Sequence, residues 1–390
     1  MFPTLSDIVA YFFHISVRIP VQTLGFFIAL SFVVTYLAFV AEFKRKEKQG
    51  LIHAYKREVL VGAPASLAEL VVNGLLGFLF GYKIIGAVLN YVSFINDAKT
   101  FIFSLQGSLV AGVLCAAGWV YWAWYSRKKD QLANPEIVEE TVHPYQLMVR
   151  ITFWAGIIGF TGAKLFDVVE HLPAFWHNPF GMLFSSTGFT YYGGFIFGML
   201  TFFYIGVKHG MKLAHVSDTG APGIMLAYGV GRIGCQLSGD GDWGIVNIHP
   251  KPTWLHWLPD WMWSFNYPHN VINAGDYING CAGQYCFVLP RGVYPTSFYE
   301  SVICIGLFAF MWAIRNKVNI PGFMSFFYLM LIGVERFFIE IIKVNIKYNI
   351  LGMYLTQAQV ISVLEFMVGL GGMIYICRRK FKRQPRPSQA

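Results

Sequence analysis

The sequence predicts an all-α, polytopic membrane protein with about nine transmembrane helices, and three observations lead to this fold class. Hydrophobic residues make up 55% of the 390 residues and aromatic residues 17%. Charged residues make up only 13%, whereas a soluble globular protein carries roughly 25%. The apolar residues also gather in long stretches, each close to the roughly 20 residues that cross a bilayer. This composition does not fit a soluble enzyme, and it excludes a disordered chain, a collagen, a coiled coil and a nucleic-acid-binding domain.

Nine stretches have the length and hydropathy of a transmembrane helix. The first is too long for a signal peptide, has no small-residue cleavage site and runs directly into Lys44, Arg45 and Lys46. We therefore interpret it as a retained helix. In chain order, the predicted spans are 19–42, 65–90, 105–126, 151–168, 189–207, 219–237, 296–314, 320–340 and 356–377.

The basic residues predict the orientation of these spans. Of the 30 Lys and Arg residues, 20 fall on the side that follows helices 1, 3, 5, 7 and 9, and six fall on the opposite side. The positive-inside rule places the richer side in the cytoplasm, with the N-terminus outside and the C-terminus inside. The remaining four, at membrane depth, are Lys83, Lys164, Arg232 and Arg336.

An ionisable side chain costs at least ~2.5 kcal/mol of free energy at the bilayer centre. A residue of this kind at membrane depth therefore suggests a functional role. Lys164 and Asp167 are three residues apart, and Arg336 and Glu340 are four apart, so each pair shares a helix face. Lys343 continues the second face one turn further on. Each pair fits either a functional site or a buried structural salt bridge.

The largest outer segment, about 239–295, is rich in Trp, Pro and His. Such a composition is typical of the interface between membrane and water. We predict a periplasmic loop here, within a single integral membrane domain spanning 1–390. Two interpretations stay open for its cysteines, because Cys281 and Cys286 fit either a disulfide or two free thiols.

The outer end of the sixth predicted helix carries the most unusual sequence. Arg232 lies among three glycines in the run Gly229–Gly234, and glycine lets the backbone approach a ligand closely. A fixed arginine beside such backbone suits a phosphate, which guanidinium binds bidentately. Asp240 and Asp242 follow, but two carboxylates alone are a weak metal signal. No metal site is predicted.

Seven motifs occur in order along the chain. They are Gly162–Phe166, Thr190–Gly194, Val216–Pro222, Gly231–Asp240, Tyr294–Glu300, Arg336–Lys343 and Ala358–Ser362. Together they resemble the motifs of the prolipoprotein diacylglyceryl transferase family, over about 150–377 and the first helix. The second and third predicted helices fall outside this resemblance, so 55–130 is predicted to be an inserted helical hairpin.

The resemblance implies an activity and the residues that carry it. The family moves a diacylglyceryl group from phosphatidylglycerol to the lipobox cysteine thiol of a preprolipoprotein, forming a thioether and releasing glycerol phosphate. Arg232 and Arg336 match family arginines and would stabilise the departing phosphate. The residues expected to bind phosphatidylglycerol are Arg232, Gly193, Gly194, Glu300, Glu340 and Lys343.

The sequence also departs from the family pattern. Tyr192 stands where the family has a histidine, Cys235 and Ser238 stand where it has asparagines, and Asp240 replaces a glutamate. A base assists the attack of a thiol on carbon. We therefore expect Tyr192 and Asp240 among the catalytic residues, with Asp242 as an alternative base.

The implied partners are phosphatidylglycerol and preprolipoprotein signal peptides with a lipobox cysteine, and no nucleic acid or cofactor is expected. The implied location is the bacterial cytoplasmic (inner) membrane. The main alternative is a non-catalytic family member that serves as a lipid-binding or partner protein. A transferase for another lipid or acceptor is a further alternative. A transporter is disfavoured because the unusual residues gather toward one side of the membrane.

Overall fold

The structure is a computed structural model, which describes residues 1–19, 21–91, 94, 101–102, 104–183, 185, 190–318, 320–350 and 352–383. Two basic residues counted in the charge bias, Lys99 and Arg386, lie outside the described residues.

Helices dominate the described part of the chain. In order they are α1 (Leu5–Phe13), α2 (Thr23–Lys48), α3 (Leu67–Leu89, with a π-helical turn at Phe80–Ile85), α4 (Leu109–Lys129), α5 (Leu147–Glu170), α6 (Leu172–His177), α7 (Pro179–Leu183), α8 (Tyr191–Lys208), α9 (Leu213–Ser238), α10 (Thr296–Ile314), α11 (Phe323–Ile341) and α12 (Gln357–Arg383). Three antiparallel strand pairs join β1 (Tyr55–Val61) to β2 (Glu136–Val142), β3 (Asp276–Tyr277) to β4 (Phe287–Val288) and β5 (Lys347–Ile350) to β6 (Met353–Thr356).

Six of the described helices are long and apolar enough to cross a membrane: α2, α3, α4, α5 with the turn before it, α10 and α12. The prediction of a helical polytopic membrane protein is therefore confirmed. Helices also lie at the other three predicted spans, as α8, α9 and α11. The apolar part of α8 is shorter, and α11 carries Glu335, Arg336 and Glu340. Nine spans and their orientation stay a prediction.

Helix α9 lies at the centre of the bundle and packs against α2, α10 and α11. More than half of its residues are buried, among them Asp218, Met225 and Gln236. Because neighbouring helices cover α9, its sequence does not need the uniform hydropathy of a lipid-facing helix. Asp218 accepts hydrogen bonds from the backbone N–H groups of Gly322 (2.8 Å) and Ser325 (3.0 Å). It thereby caps α11 and fixes that helix against α9.

Helices α3 and α4 form a hairpin whose main contacts are within itself. Strands β1 and β2 flank this hairpin and pair from Tyr55–Val142 to Val61–Glu136. Lys83, predicted at membrane depth, donates to the backbone carbonyls of Phe101, Ser104 and Gln106. Its charge is thus hydrogen-bonded inside the hairpin. The description of 55–130 as an insertion remains a prediction.

The segment after α9 is a compact loop held by side-chain to backbone hydrogen bonds. Buried Asn270 donates to the carbonyls of Tyr267, Ala274 and Phe287, at 3.0–3.2 Å. Cys281 and Cys286 form a disulfide, with Cα atoms 5.7 Å apart. The disulfide interpretation therefore agrees with the structure.

Tryptophans project from this loop. Trp254 and Trp257 are 72% and 78% exposed. Nearby, Lys251 Nζ lies 2.8 Å from Asp260 Oδ1, and the hydrogen bond and charge of Lys251 lower the pKa of the Asp260 carboxyl below its ordinary value. This ion pair joins the two ends of the turn that presents the tryptophans.

Candidate functional site

The backbone at the C-terminal end of α9 brings the site together. Gly239 ends the helix in the left-handed conformation (φ 65°), and Gly241 (φ 98°) turns the chain back. Both values are in the region that favours glycine. The hydroxyls of Thr296 (3.0 Å) and Ser297 (2.6 Å), in the first turn of α10, donate to the Asp242 carbonyl. Asp242 is thereby held next to Arg232, which lies six residues before the end of α9.

Arg232 makes contacts through each nitrogen of its guanidinium group. Nε lies 3.1 Å from Glu300 Oε2, and Nη1 forms an ion pair with Asp242. Nη2 donates to the Tyr228 hydroxyl at 2.9 Å, and the guanidinium carbon lies 4.7 Å from the centre of the Tyr228 ring. The orientation of Arg232 is therefore set by three neighbours from α9, α10 and the loop between them.

Two more cations from α11 and its C-terminal end meet the same groups. Arg336 Nη1 donates to the Tyr228 hydroxyl at 2.7 Å and lies 3.7 Å from Glu300 Oε1. Lys343 Nζ lies 2.6 Å from Asp242 Oδ1 and 3.1 Å from Glu300 Oε1. A backbone hydrogen bond from Ile245 to the Ile342 carbonyl (2.8 Å) ties this end of α11 to the loop. Three segments distant in sequence thus meet at one point.

We call Tyr228, Arg232, Asp242, Glu300, Arg336 and Lys343 the cation cluster. Glu300 is completely buried and pairs with all three cations. The ion pairs within this cluster join three cations to two carboxylates, an excess of one positive charge among these five groups, and the buried carboxyl of Glu335 forms none of these ion pairs. A buried charge is stable only when it is paired and hydrogen-bonded. The arrangement therefore suits an anion of a single negative charge, such as a phosphodiester.

The predicted site residues do not all lie in the cation cluster. Asp240 lies outside its ion pairs and accepts a hydrogen bond from the Asp242 backbone N–H at 3.2 Å. Glu340 is buried and accepts a hydrogen bond from the Asn345 side chain. Among the described residues, the ion-pair partner of Arg336 is Glu300 rather than Glu340. The shared face of Arg336 and Glu340 therefore does not produce a direct pair.

The predicted pair of Lys164 and Asp167 does form, with Nζ and Oδ2 3.4 Å apart. Lys164 Nζ also donates to the Ser185 hydroxyl at 2.8 Å. Both charged residues are buried, at the end of α5. This pair and the cation cluster share no hydrogen bond or ion pair among the described residues.

The Tyr192–Gly194 element begins α8. Tyr192 is 40% exposed and interacts electrostatically with Arg336. A side chain at Gly193 would clash with the Gly162 carbonyl of α5, so glycine lets α8 and α5 pack closely. Gly193 therefore has a packing role in the structure. That Gly193 and Gly194 bind the lipid stays a prediction.

Two further residues of this region were not assigned to the binding site from the sequence, although Glu335 is one of the ionisable residues predicted at membrane depth. Tyr228 lies four residues before Arg232, and this spacing could have placed both on one helix face. Glu335 is buried, and neither carboxylate oxygen has a hydrogen-bond partner among the described residues. The sequence signal for Glu335 is its charge at membrane depth, but its surroundings depend on how α9, α10 and α11 pack.

Comparison with known proteins gives the family of this chain. A family model described as prolipoprotein diacylglyceryl transferase matches residues 102–375, which is more than half of the sequence. The chain belongs to the prolipoprotein diacylglyceryl transferase family. The match includes the whole cation cluster and begins within the α3–α4 hairpin, so it includes α4 and leaves out α2.

Individual relatives agree with the family match. The phosphatidylglycerol–prolipoprotein diacylglyceryl transferase of Staphylococcus carnosus (strain TM300) is 29% identical over 239 residues, which cover 61% of this chain and 77% of the relative. The protein of the same name from Staphylococcus aureus (strain Newman) is 27% identical over 255 residues, covering 65% of this chain and 81% of the relative. The chain is thus a divergent member of the diacylglyceryl transferase family.

Proposed function

We propose that this chain transfers a diacylglyceryl group from phosphatidylglycerol to the lipobox cysteine thiol of preprolipoproteins. One observation carries the proposal: in a member of this family, Arg232, Arg336 and Lys343 converge on a buried Glu300. The names of the staphylococcal relatives support the same lipid donor and protein acceptor.

The cation cluster suits the charge changes of this reaction. The thiol sulfur forms a bond to the glyceryl carbon, and the bond from that carbon to the phosphate oxygen breaks. Glycerol phosphate leaves with the electron pair of that bond, so its negative charge grows. Arg232 and Arg336 are oriented before the reaction by Tyr228 and Glu300. Fixed cations of this kind stabilise developing charge without reorganising during the reaction.

The proton of the thiol needs an acceptor, and Asp240 fits this role better than Asp242. Asp242 pairs with both Arg232 and Lys343, so its carboxylate is already engaged by two cations. Asp240 has no ion pair among the described residues. Tyr192, which interacts with Arg336, is the second candidate. We therefore propose Asp240 or Tyr192 as the base.

The arrangement in the membrane follows from the same proposal. We propose nine spans with the N-terminus outside and the C-terminus in the cytoplasm of a bacterial inner membrane. The cation cluster would then lie toward the outer leaflet, beneath the periplasmic loop 239–295. The α3–α4 hairpin would be an insertion beside this catalytic bundle. Signal peptides with a lipobox cysteine would reach the cation cluster from within the bilayer.

The test is transfer by purified protein in phosphatidylglycerol vesicles, measured by mass spectrometry of a lipobox peptide. Arg232→Lys and Arg336→Lys should each lower the transfer rate about 100-fold, because lysine cannot bind phosphate bidentately. Arg127→Lys is the matched control, since Arg127 pairs with Glu69 in the hairpin and its side chain is half exposed. If neither Arg232→Lys nor Arg336→Lys lowered the transfer rate, the role of the cation cluster would be refuted.

A further inference from the structure

A single hydroxyl group joins the two arginines of the cation cluster. The Tyr228 oxygen accepts from Arg232 Nη2 at 2.9 Å and from Arg336 Nη1 at 2.7 Å, and it donates to Glu300 Oε1 at 2.8 Å. A tyrosine hydroxyl has one donor and two acceptor positions. These three bonds use all of them, so the hydroxyl is not left free to hold a ligand itself.

The hydroxyl determines how closely the two guanidinium groups approach. Arg232 is on α9 and Arg336 is on α11, and the two like charges repel. Because both bind one oxygen atom, their nitrogens cannot be farther apart than the two hydrogen-bond lengths together. Two nitrogens no farther apart than this limit can both reach oxygens of one phosphate with ordinary hydrogen bonds.

The two arginines differ in how far they are already engaged. Arg232 uses Nε, Nη1 and Nη2 for Glu300, Asp242 and Tyr228, and its side chain is 16% exposed. The described contacts of Arg336 use Nη1 alone, and its side chain is 26% exposed. Arg336 therefore offers more open donor surface. Tyr228, through two hydrogen bonds, and Glu300, through two ion pairs, hold it next to Arg232.

We propose that Tyr228 is a positioning residue whose hydroxyl sets the spacing of Arg232 and Arg336, so that both bind the single phosphate of the lipid donor. The identity of that phosphate as phosphatidylglycerol rests on the proposed function. The aromatic ring stacks on Arg232 but does not reach Arg336 by any described contact, so the hydroxyl carries the coupling.

Tyr228→Phe tests the proposal because it keeps the ring and removes the three hydrogen bonds. The KM for phosphatidylglycerol should rise about tenfold, as expected if the misplaced arginines make one charge-assisted hydrogen bond fewer to the lipid phosphate. The KM for the lipobox peptide should stay unchanged. Equal changes in both KM values, or no change in the KM for the lipid, would overturn the proposal.

Tyr267→Phe is the matched control. Tyr267 is buried and its hydroxyl donates to Gln236 Oε1 at 2.7 Å, outside the cation cluster. Its loss should lower thermal stability to a similar degree and leave the KM for phosphatidylglycerol unchanged. A tenfold rise in that KM in Tyr267→Phe would show a general packing effect and overturn the role of Tyr228.

A double-mutant cycle gives a second measurement that does not depend on one variant. Arg336→Lys should raise the KM for phosphatidylglycerol less in the Tyr228→Phe background than in the wild type, because the coupling through the hydroxyl is already lost. Additive effects would overturn the proposal.

Binding of short-chain phosphatidylglycerol, measured by calorimetry in detergent, separates this inference from the proposed function. Weaker lipid binding by Tyr228→Phe in a protein that transfers nothing would refute the transferase and retain the positioning role. If the wild type transferred the diacylglyceryl group but Tyr228→Phe bound the lipid as well as the wild type does, the transferase would be retained and the positioning role refuted.

Discussion

Arg232 of α9 and Glu300 of α10 form an ion pair, with Nε and Oε2 3.1 Å apart, in which the carboxylate is completely buried. The two residues are 68 positions apart in the sequence, and the loop that follows α9 lies between them. Glu300 also pairs with Arg336 and Lys343, so this single carboxylate holds three cations from different segments together.

Glu300→Gln should therefore affect both stability and transfer. Removing one partner of a buried ion pair costs about 3 kcal/mol, because the remaining charges are left uncompensated. We expect a matching loss in the free energy of unfolding in detergent and a fall in transfer of at least ~100-fold.

Glu69→Gln is the control for this variant. Glu69 pairs with Arg127 in the hairpin, where the two side chains are 31% and 50% exposed, and exposed pairs contribute at most about 1 kcal/mol. If Glu300→Gln were no more damaging than Glu69→Gln, Glu300 would not be the centre of the cluster.

Asp240→Asn should lower the reaction rate, whereas Asp242→Asn should lower stability and lipid binding. Asp240 lies outside the ion pairs, so its loss should leave stability unchanged while lowering kcat about 100-fold, as for the loss of a general base. Asp242 pairs with Arg232 and Lys343, so its loss should lower thermal stability and weaken binding of phosphatidylglycerol. Full activity of Asp240→Asn would leave Tyr192 as the proposed base.

Glu335→Gln should stabilise the protein. Both oxygens of this buried carboxyl lack a hydrogen-bond partner in the described part of the chain, and such a group costs about 1 kcal/mol or more. Glutamine keeps the shape of the side chain and removes its charge, and an unpaired buried charge costs more than an unpaired neutral group. Thermal unfolding in detergent would show the gain.

Glu42→Gln is the contrasting variant for that measurement. Glu42 is also buried but pairs with Arg45 at 2.7 Å and Arg315 at 2.6 Å, so its replacement should destabilise. A similar loss of stability in both variants would mean that Glu335 has a partner in the native protein.

Peptide mass spectrometry of protein purified without reductant should find Cys281 and Cys286 linked to each other. Their replacement by serine should cost about 2 kcal/mol, the chain-entropy value for so short a loop. Alkylation of Cys281 or Cys286 in the untreated protein would contradict both the disulfide and the periplasmic placement of the loop.

The sequence predicts the fold class well because each transmembrane helix is a local feature. The apolar stretches and the basic residues after them depend on neighbouring residues only, and a helix lies at each predicted span. The sequence also identified Arg232, Arg336, Glu300 and Lys343, through motifs that resemble those of the family.

The partners of these residues were harder to predict because they depend on tertiary packing. The left-handed turns at Gly239 and Gly241 decide that Asp242, rather than Asp240, pairs with Arg232. Arg336 pairs with Glu300 from another helix, although Glu340 lies on its own face. Spacing along one helix cannot give such contacts between helices.

Diacylglyceryl transfer is tested most directly by the mass of a lipobox peptide that has been incubated with the wild-type protein in phosphatidylglycerol vesicles. We expect the addition of one diacylglyceryl group to the cysteine, through a thioether that resists the conditions that hydrolyse thioesters, and no addition in vesicles of phosphatidylcholine alone. An unmodified peptide, under conditions in which the staphylococcal relative modifies it, would contradict the transferase and favour a lipid-binding protein without catalysis.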